Sequence, residues 1–162
     1  TLVPLAEPEV LINGKHSIDK CNTITRETLK CLFDQLALLN IYLPGTILKP
    51  SMVISGDSND SRADFKMVAD MTIKCLKDIC PDDLGGIAFL SGGQTNEEAT
   101  THLNLMNKDY DSLPWRVTFS YARAIQQSAL NAWCGKDENS QKSQEILSER
   151  ANLCSKASIG EL

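Results

Sequence analysis

The sequence predicts an α/β protein in which a parallel sheet is covered by helices. Short apolar runs alternate strictly with stretches of helical spacing along its 162 residues, and that alternation is the mark of a parallel sheet with crossover helices. The strand-like runs are brief, and each ends in charged or small polar residues. Strands of this kind suit a (β/α) barrel, where chemistry sits at the C-terminal ends of the strands. A doubly wound open sheet would show a glycine-rich fingerprint after its first strand, and Glu7-Pro8-Glu9 is nothing like one.

The first strand is read in Leu2-Val3-Pro4-Leu5-Ala6. After a turn at Asn13-Gly14, Ile18, Cys21, Ile24, Leu29, Leu32, Phe33, Leu36 and Leu39 keep near helical spacing, which predicts a helix over 17–40. Pro44-Gly45 marks a turn, and Thr46-Ile47-Leu48 the second strand. A polar loop then leads to a helix over 63–79 with Phe65, Val68, Thr72, Cys75, Leu76 and Ile79 on one face, ended by Pro81. Gly86-Ile87-Ala88-Phe89-Leu90 is the third strand, followed by the tight turn Ser91-Gly92-Gly93-Gln94. Thr95 and Glu98 have capping-box spacing, so a helix starts there and runs to about residue 107. Arg116-Val117-Thr118-Phe119-Ser120 is the fourth strand. Helical sequence follows from 124 to 155 with a break near Gly135.

Bulk properties exclude several function classes. A hydrophobic content of 42% with 23% charged residues is ordinary for a globular domain. The net charge of −5, without a basic run, argues against a nucleic-acid partner. No apolar stretch is long enough to span a bilayer, and the start shows no signal-peptide pattern. The six cysteines form no C-x-x-C pair and read as buried free thiols, not as disulfides or a zinc site. The chain opens at Thr1 with strand-like sequence, which suggests a piece of a longer protein.

The strand ends supply the chemistry. The first carries Glu7 and Glu9, the second Lys49, the third Ser91-Gly92-Gly93, the fourth Ser120 and Arg123. Lys49 alone fits a snorkelling surface lysine. Held partly dry beside a cavity, it would instead lose proton affinity and could attack a ketone. The Ser-Gly-Gly turn lets backbone N–H groups approach an anion, and the helix after it adds its positive end. Arg123 offers a forked cationic contact, and Glu7 a proton carrier. Each feature alone fits an ordinary turn or surface ion pair; their recurrence at successive strand ends points to a phosphate site beside a nucleophilic lysine. His16 is expected in a loop and His102 on the third helix, both away from the rim. Trp115 and Trp133 are expected to pack.

Leu5-Ala6-Glu7-Pro8-Glu9-Val10, Leu48-Lys49-Pro50-Ser51-Met52-Val53, Phe89-Leu90-Ser91-Gly92-Gly93-Gln94 and Phe119-Ser120-Tyr121-Ala122-Arg123-Ala124 resemble, in order and spacing, the class I (Schiff-base) fructose-bisphosphate aldolases. Asn104-Leu105-Met106-Asn107 and Ala129-Leu130-Asn131-Ala132-Trp133 also look like family sequence. The resemblance implies a (β/α)8 TIM barrel, of which residues 1–162 would form the C-terminal half, strands five to eight. It implies reversible cleavage of fructose 1,6-bisphosphate to dihydroxyacetone phosphate and glyceraldehyde 3-phosphate, in glycolysis and gluconeogenesis. No cofactor and no metal are implied, the imine at Lys49 being covalent. Glu7 matches the acid/base carboxylate and Glu9 the second carboxylate. Ser91, Gly92, Ser120, Ala122 and Arg123 match groups around a substrate phosphate, with Gln126 a weaker match. The resemblance further implies a sugar phosphate substrate, a homo-oligomer (a tetramer in the family), and a cytoplasmic setting or a glycosome-like organelle.

Departures accompany it. Pro44 stands where the family commonly has Glu, and Ala122 where many members have Gly. The family's tail ending in Tyr is missing, as are the barrel strands carrying an Asp and two further lysines. Little aldol cleavage is therefore expected of this chain alone. The alternative from another class is a non-catalytic binding protein on an aldolase-like half barrel. Transaldolase and deoxyribose-phosphate aldolase are disfavoured by the Glu-Pro-Glu run and the paired phosphate features.

Overall fold

The computed structural model describes residues 2–162; the strand-like start at Thr1 lies outside them. Four parallel strands pair in sequence order, β1 (Leu5–Ala6), β2 (Ile47–Leu48), β3 (Gly86–Phe89) and β4 (Val117–Phe119). Between and after them lie α1 (Ile18–Leu38), α2 (Phe65–Ile79), α3 (Asn96–Asp109), α4 (Arg123–Trp133) and α5 (Ser140–Ala157). The predicted alternation is therefore present, with shorter strands than expected. Leu2 and Val3 stay outside β1 and are exposed. Thr46 ends a 3-10 turn instead of starting β2.

Register explains which face carries what. Leu48, Ile87 and Val117 lie side by side across the sheet, and so do Phe89 and Phe119. Because side chains alternate between faces along a strand, these residues share one face. Leu48, Ile87, Phe89 and Val117 are buried in one cluster with Val68, Ala69, Ile73 and Leu76 of α2 and Ala99, Leu103 and Met106 of α3. Burial of a side chain such as Phe89 contributes about 1.5–3 kcal/mol. The opposite face carries Leu5, Glu7, Ile47, Lys49, Thr118 and Ser120, all partly or fully exposed. No helix among those described covers it.

Local signals set the helix limits. Ser17 caps α1 by accepting a hydrogen bond from the Lys20 N–H, and Asp64 caps α2 through the Met67 N–H. The Thr95/Glu98 capping box is complete on both sides. Cys134 and Gly135 both adopt positive φ, 55° and 71°, and this left-handed pair is the predicted break between α4 and α5.

Three packing expectations change. Trp115 is buried and donates from Nε1 to the Pro81 carbonyl, but Trp133 is 40% exposed on α4. Phe65, expected on the buried stripe of α2, is exposed as the first residue of the helix, with only its contact to the buried His102 ring facing inward. All six thiols are free, as expected, but Cys31 and Cys134 are exposed. Cys31 follows the buried stripe by the wrong angle, and Cys134 occupies the helix end. Burial pushes the thiols of Cys75 and Cys80 up to about 11 and about 12.

Candidate active site

Glu7 and Lys49 follow directly on paired strands. The Lys49 N–H donates to the Ala6 carbonyl at 2.7 Å, extending the β1–β2 ladder to the strand tips. One residue beyond Leu48, Lys49 is turned to the uncovered face. Its Nζ lies 3.1 Å from Glu7 Oε1. The lysine side chain is 20% exposed and that of Glu7 45%. An amine shielded on most sides, with one carboxylate within hydrogen-bond reach, is suited to proton exchange between the two. Behind it, Pro50 through Gly56 are buried. Ser51 Oγ accepts from the Val10 N–H at 3.2 Å and Thr72 Oγ1 from the Val53 N–H at 2.9 Å. These bonds fix the chain on either side of the lysine.

Glu9 takes a different direction. A Cβ placed on Gly92 would meet Glu9 Oε1 at 3.2 Å, so the second carboxylate rests against the Ser91–Gly93 turn. That turn closes with the Gln94 N–H on the Ser91 carbonyl at 3.3 Å. Gly93 has φ +73°, and a Cβ there would meet Ile12 and Ile54 Cδ1 at 3.0 and 3.1 Å. Only glycine combines that backbone with that little space. Leu90 N donates to the Pro50 carbonyl and Ser120 N to the Phe89 carbonyl, so Ser91 and Ser120 leave the sheet at adjoining strand ends.

Ala122 precedes α4, and its carbonyl accepts from the N–H groups of Ile125 and Gln126. Arg123 is the first residue of α4 and is exposed. It lines a cleft of about 350 Å3 with Glu9, Leu11, Ile12 and Asn13, and a broader one of about 680 Å3 with Gly93, Gln94, Asn96 and Gln127. Neither cleft includes Lys49 or Glu7. The predicted residues thus form two groups: Lys49 with Glu7 on the open face, and Glu9, Gly92, Gly93 and Arg123 around the starts of α3 and α4. Gln126 is exposed and lines neither cleft.

Sequence reasoning missed the residues that set the second group. Asn96, opening α3, donates to Ser128 Oγ on α4 at 2.7 Å. Arg150 on α5 donates to the carbonyls of Asn96 and Ala124 and to Thr100 Oγ1, gripping both helix starts. Arg62 donates to the Gly93 carbonyl at 3.1 Å and pairs with Glu98 at 3.1 Å. All three lie far in sequence from their partners, and no local motif announces them. Two helix N-termini lie side by side there, and helix N-termini favour anions; the broader cleft carries Asp57, Glu97 and Glu98 as well as Arg62 and Arg123. Among the described residues, no group of three or more His, Cys, Asp or Glu is placed to hold a metal ion, and no helix is long and apolar enough to cross a membrane.

Comparison with known proteins agrees with the sequence resemblance. The family model described as fructose-bisphosphate aldolase class-I matches residues 1–162. A probable fructose-bisphosphate aldolase class 1 of Xanthomonas axonopodis pv. citri is 48% identical over 161 residues, covering 98% of this chain and 48% of that protein. The cytosolic fructose-bisphosphate aldolase 4 of Arabidopsis thaliana is 42% identical over 159 residues, covering 98% of this chain and 40% of its own length. Among solved structures, the Plasmodium falciparum fructose-bisphosphate aldolase, crystallised with TRAP and a small-molecule inhibitor, superposes with a TM-score of 0.94 at 42% identity. The match covers 99% of this chain and 46% of that one. The chain spans about half the length of the relatives it matches.

Proposed function

The chain belongs to the class I fructose-bisphosphate aldolase family, and from that premise we propose that it carries the imine-forming half of a carbon–carbon lyase acting on fructose 1,6-bisphosphate. Residues 1–162 correspond, on this reading, to the C-terminal half of a (β/α)8 barrel, with β1–β4 as its fifth to eighth strands. The observation that carries the reading is the 3.1 Å contact between Lys49 Nζ and Glu7 Oε1 on the uncovered face of the sheet.

The chemistry follows from that contact. Glu7 takes a proton from the Lys49 ammonium, and the free amine adds to the substrate ketone carbon. Glu7 returns the proton as the carbinolamine loses water, leaving a protonated imine. Glu7, a carboxylate again, takes the proton of the substrate's fourth-carbon hydroxyl, to return it later to the enamine carbon, and the bond between the third and fourth carbons breaks. The electron pair moves into the imine as an enamine, and glyceraldehyde 3-phosphate departs. Protonation of the enamine and hydrolysis then release dihydroxyacetone phosphate and restore Lys49. Without the imine as electron sink, the carbanion would be too unstable at neutral pH.

The remaining residues orient. Ser91 and Gly92, with Ser120, Ala122 and Arg123, receive a substrate phosphate between the starts of α3 and α4. Glu9 stands against Gly92 as the second carboxylate. Fixing the phosphate holds the ketone near the amine and converts binding into orientation. The family reaction needs no metal. A homo-oligomer, a tetramer in the family, and a cytoplasmic setting are proposed from the family and from relatives named cytosolic and cytoplasmic; a glycosome-like organelle is the narrower alternative.

Borohydride trapping with dihydroxyacetone phosphate tests the reading. A reduced adduct mapped to Lys49, lost in Lys49→Met, is the expected result. A folded chain that forms no adduct would make the non-catalytic aldolase-like protein the better description of these residues by themselves. Turnover of fructose 1,6-bisphosphate by the 162-residue chain is expected to be slight.

A further inference from the structure

His102 lies on α3, behind the anion turn and off the catalytic face, and is 2% exposed. Its ring meets the Phe65 ring edge-on, with centroids 5.3 Å apart at 72°. Its Nδ1 lies 2.7 Å from Gln94 Oε1. An amide oxygen only accepts, so Nδ1 carries the proton and donates. Burial, reinforced by the Arg62 guanidinium, lowers the proton affinity to about 4, so the ring is neutral near pH 7. Neither His102 Nε2 nor Gln94 Nε2 has a partner among the described residues. The Nδ1–Oε1 bond is therefore what fixes both side chains.

Gln94 is the last residue of the turn whose backbone is offered to the phosphate, and Thr95 after it is the α3 cap. The turn is held from three directions: Glu9 against Gly92, Arg62 on the Gly93 carbonyl, and His102 on Gln94. The first two restrain its middle; at its exit the His102 bond holds the Gln94 side chain, while the Gln94 N–H closes on the Ser91 carbonyl. Gly93, at φ +73°, sits at the hinge between them.

We propose that His102 is a positioning residue, which through Gln94 holds the Ser91–Gly93 turn in the shape that receives the substrate phosphate. This rests on the phosphate assignment of the preceding subsection and not on the lysine chemistry.

The test is a titration of the 15N-labelled chain with inorganic phosphate, following the amide signals of Ser91, Gly92 and Gly93. His102→Leu and Gln94→Ala should each weaken phosphate binding about tenfold, the equivalent of one lost hydrogen bond. The double variant should be no weaker than either single, because the two changes break the same bond. His102→Asn, which keeps a side-chain donor, should restore binding to within about threefold. Gln94 is partly exposed, so Gln94→Ala and the wild type still decide the matter if His102→Leu does not fold. Wild-type turn amides that ignore phosphate, single variants within about twofold of wild type, or losses that add in the double variant would each overturn the role. Borohydride trapping is read separately: no adduct with an intact phosphate response defeats the Schiff-base reading and leaves the role of His102 standing.

Discussion

The β1–β2 tips and the β3–α3 turn solve different problems with different materials. At the β1–β2 tips the proposed function rests on two side chains. Glu7 and Lys49 meet on an open face, above strands of only two residues each. At the β3–α3 turn it rests on backbone. There β3 is buried along its whole length, and Glu9, Arg62 and His102 each hold one part of the loop. A side-chain site can lose its chemistry and keep its fold. A backbone site cannot be altered without disturbing what packs around it.

The widest separation between the two should come from Glu7→Gln. Loss of the proton carrier is expected to slow imine formation about 10²–10⁴-fold. The melting temperature should scarcely move, because a half-exposed ion pair contributes about 0–1 kcal/mol. Single-turnover trapping and a thermal melt on one sample check both halves. A large stability loss would show that the β1–β2 tips are structural after all.

The turn region should answer instead to acid. His102 is held neutral in the native protein, with its proton affinity lowered from 6.5 to about 4. Between those values the unfolded chain binds more protons than the native one, so stability falls as pH falls through that window. The loss should approach roughly 3 kcal/mol near pH 4, by linkage. Urea midpoints across that range, compared with His102→Asn, would measure it; equal slopes for the two proteins would remove His102 from the acid response.

Gly93→Ala sharpens the same contrast with a smaller effect. The positive φ costs an alanine about 1–2 kcal/mol, and its methyl would press on Ile12 and Ile54. A lowered urea midpoint with an unchanged slope is expected, together with weaker phosphate binding and an imine rate that falls only through substrate affinity.

The sequence made some elements plain and others invisible for physical reasons. Thr95 and Glu98 announce the start of α3 because a capping box is a contact between near neighbours. The apolar rhythm of α1 and α2 marks the helices because one face must be buried. That rhythm fails at Phe65, which a helix end carries to the surface; Cys31, two residues from both Leu29 and Phe33, lies on the opposite side of α1 and is exposed. Trp133 is large and apolar, yet nothing local tells it that the core ends before α4 turns it outward.

By itself the sequence determined the α/β alternation, the placement of Glu7, Lys49, Ser91 and Ser120 at strand ends, and the family, because these are carried by residue order and short-range periodicity. Only the tertiary structure decided which carboxylate meets the lysine. Glu7 and Glu9 are two apart, but Glu7 continues the strand and faces Lys49, whereas Glu9 lies beyond Pro8 against Gly92. It also decided that Arg62, His102 and Arg150 hold the turn and the helix starts. Those contacts join residues from 8 to 54 positions apart, and whether a polar side chain finds such a partner depends on how the layers pack, which no local pattern encodes.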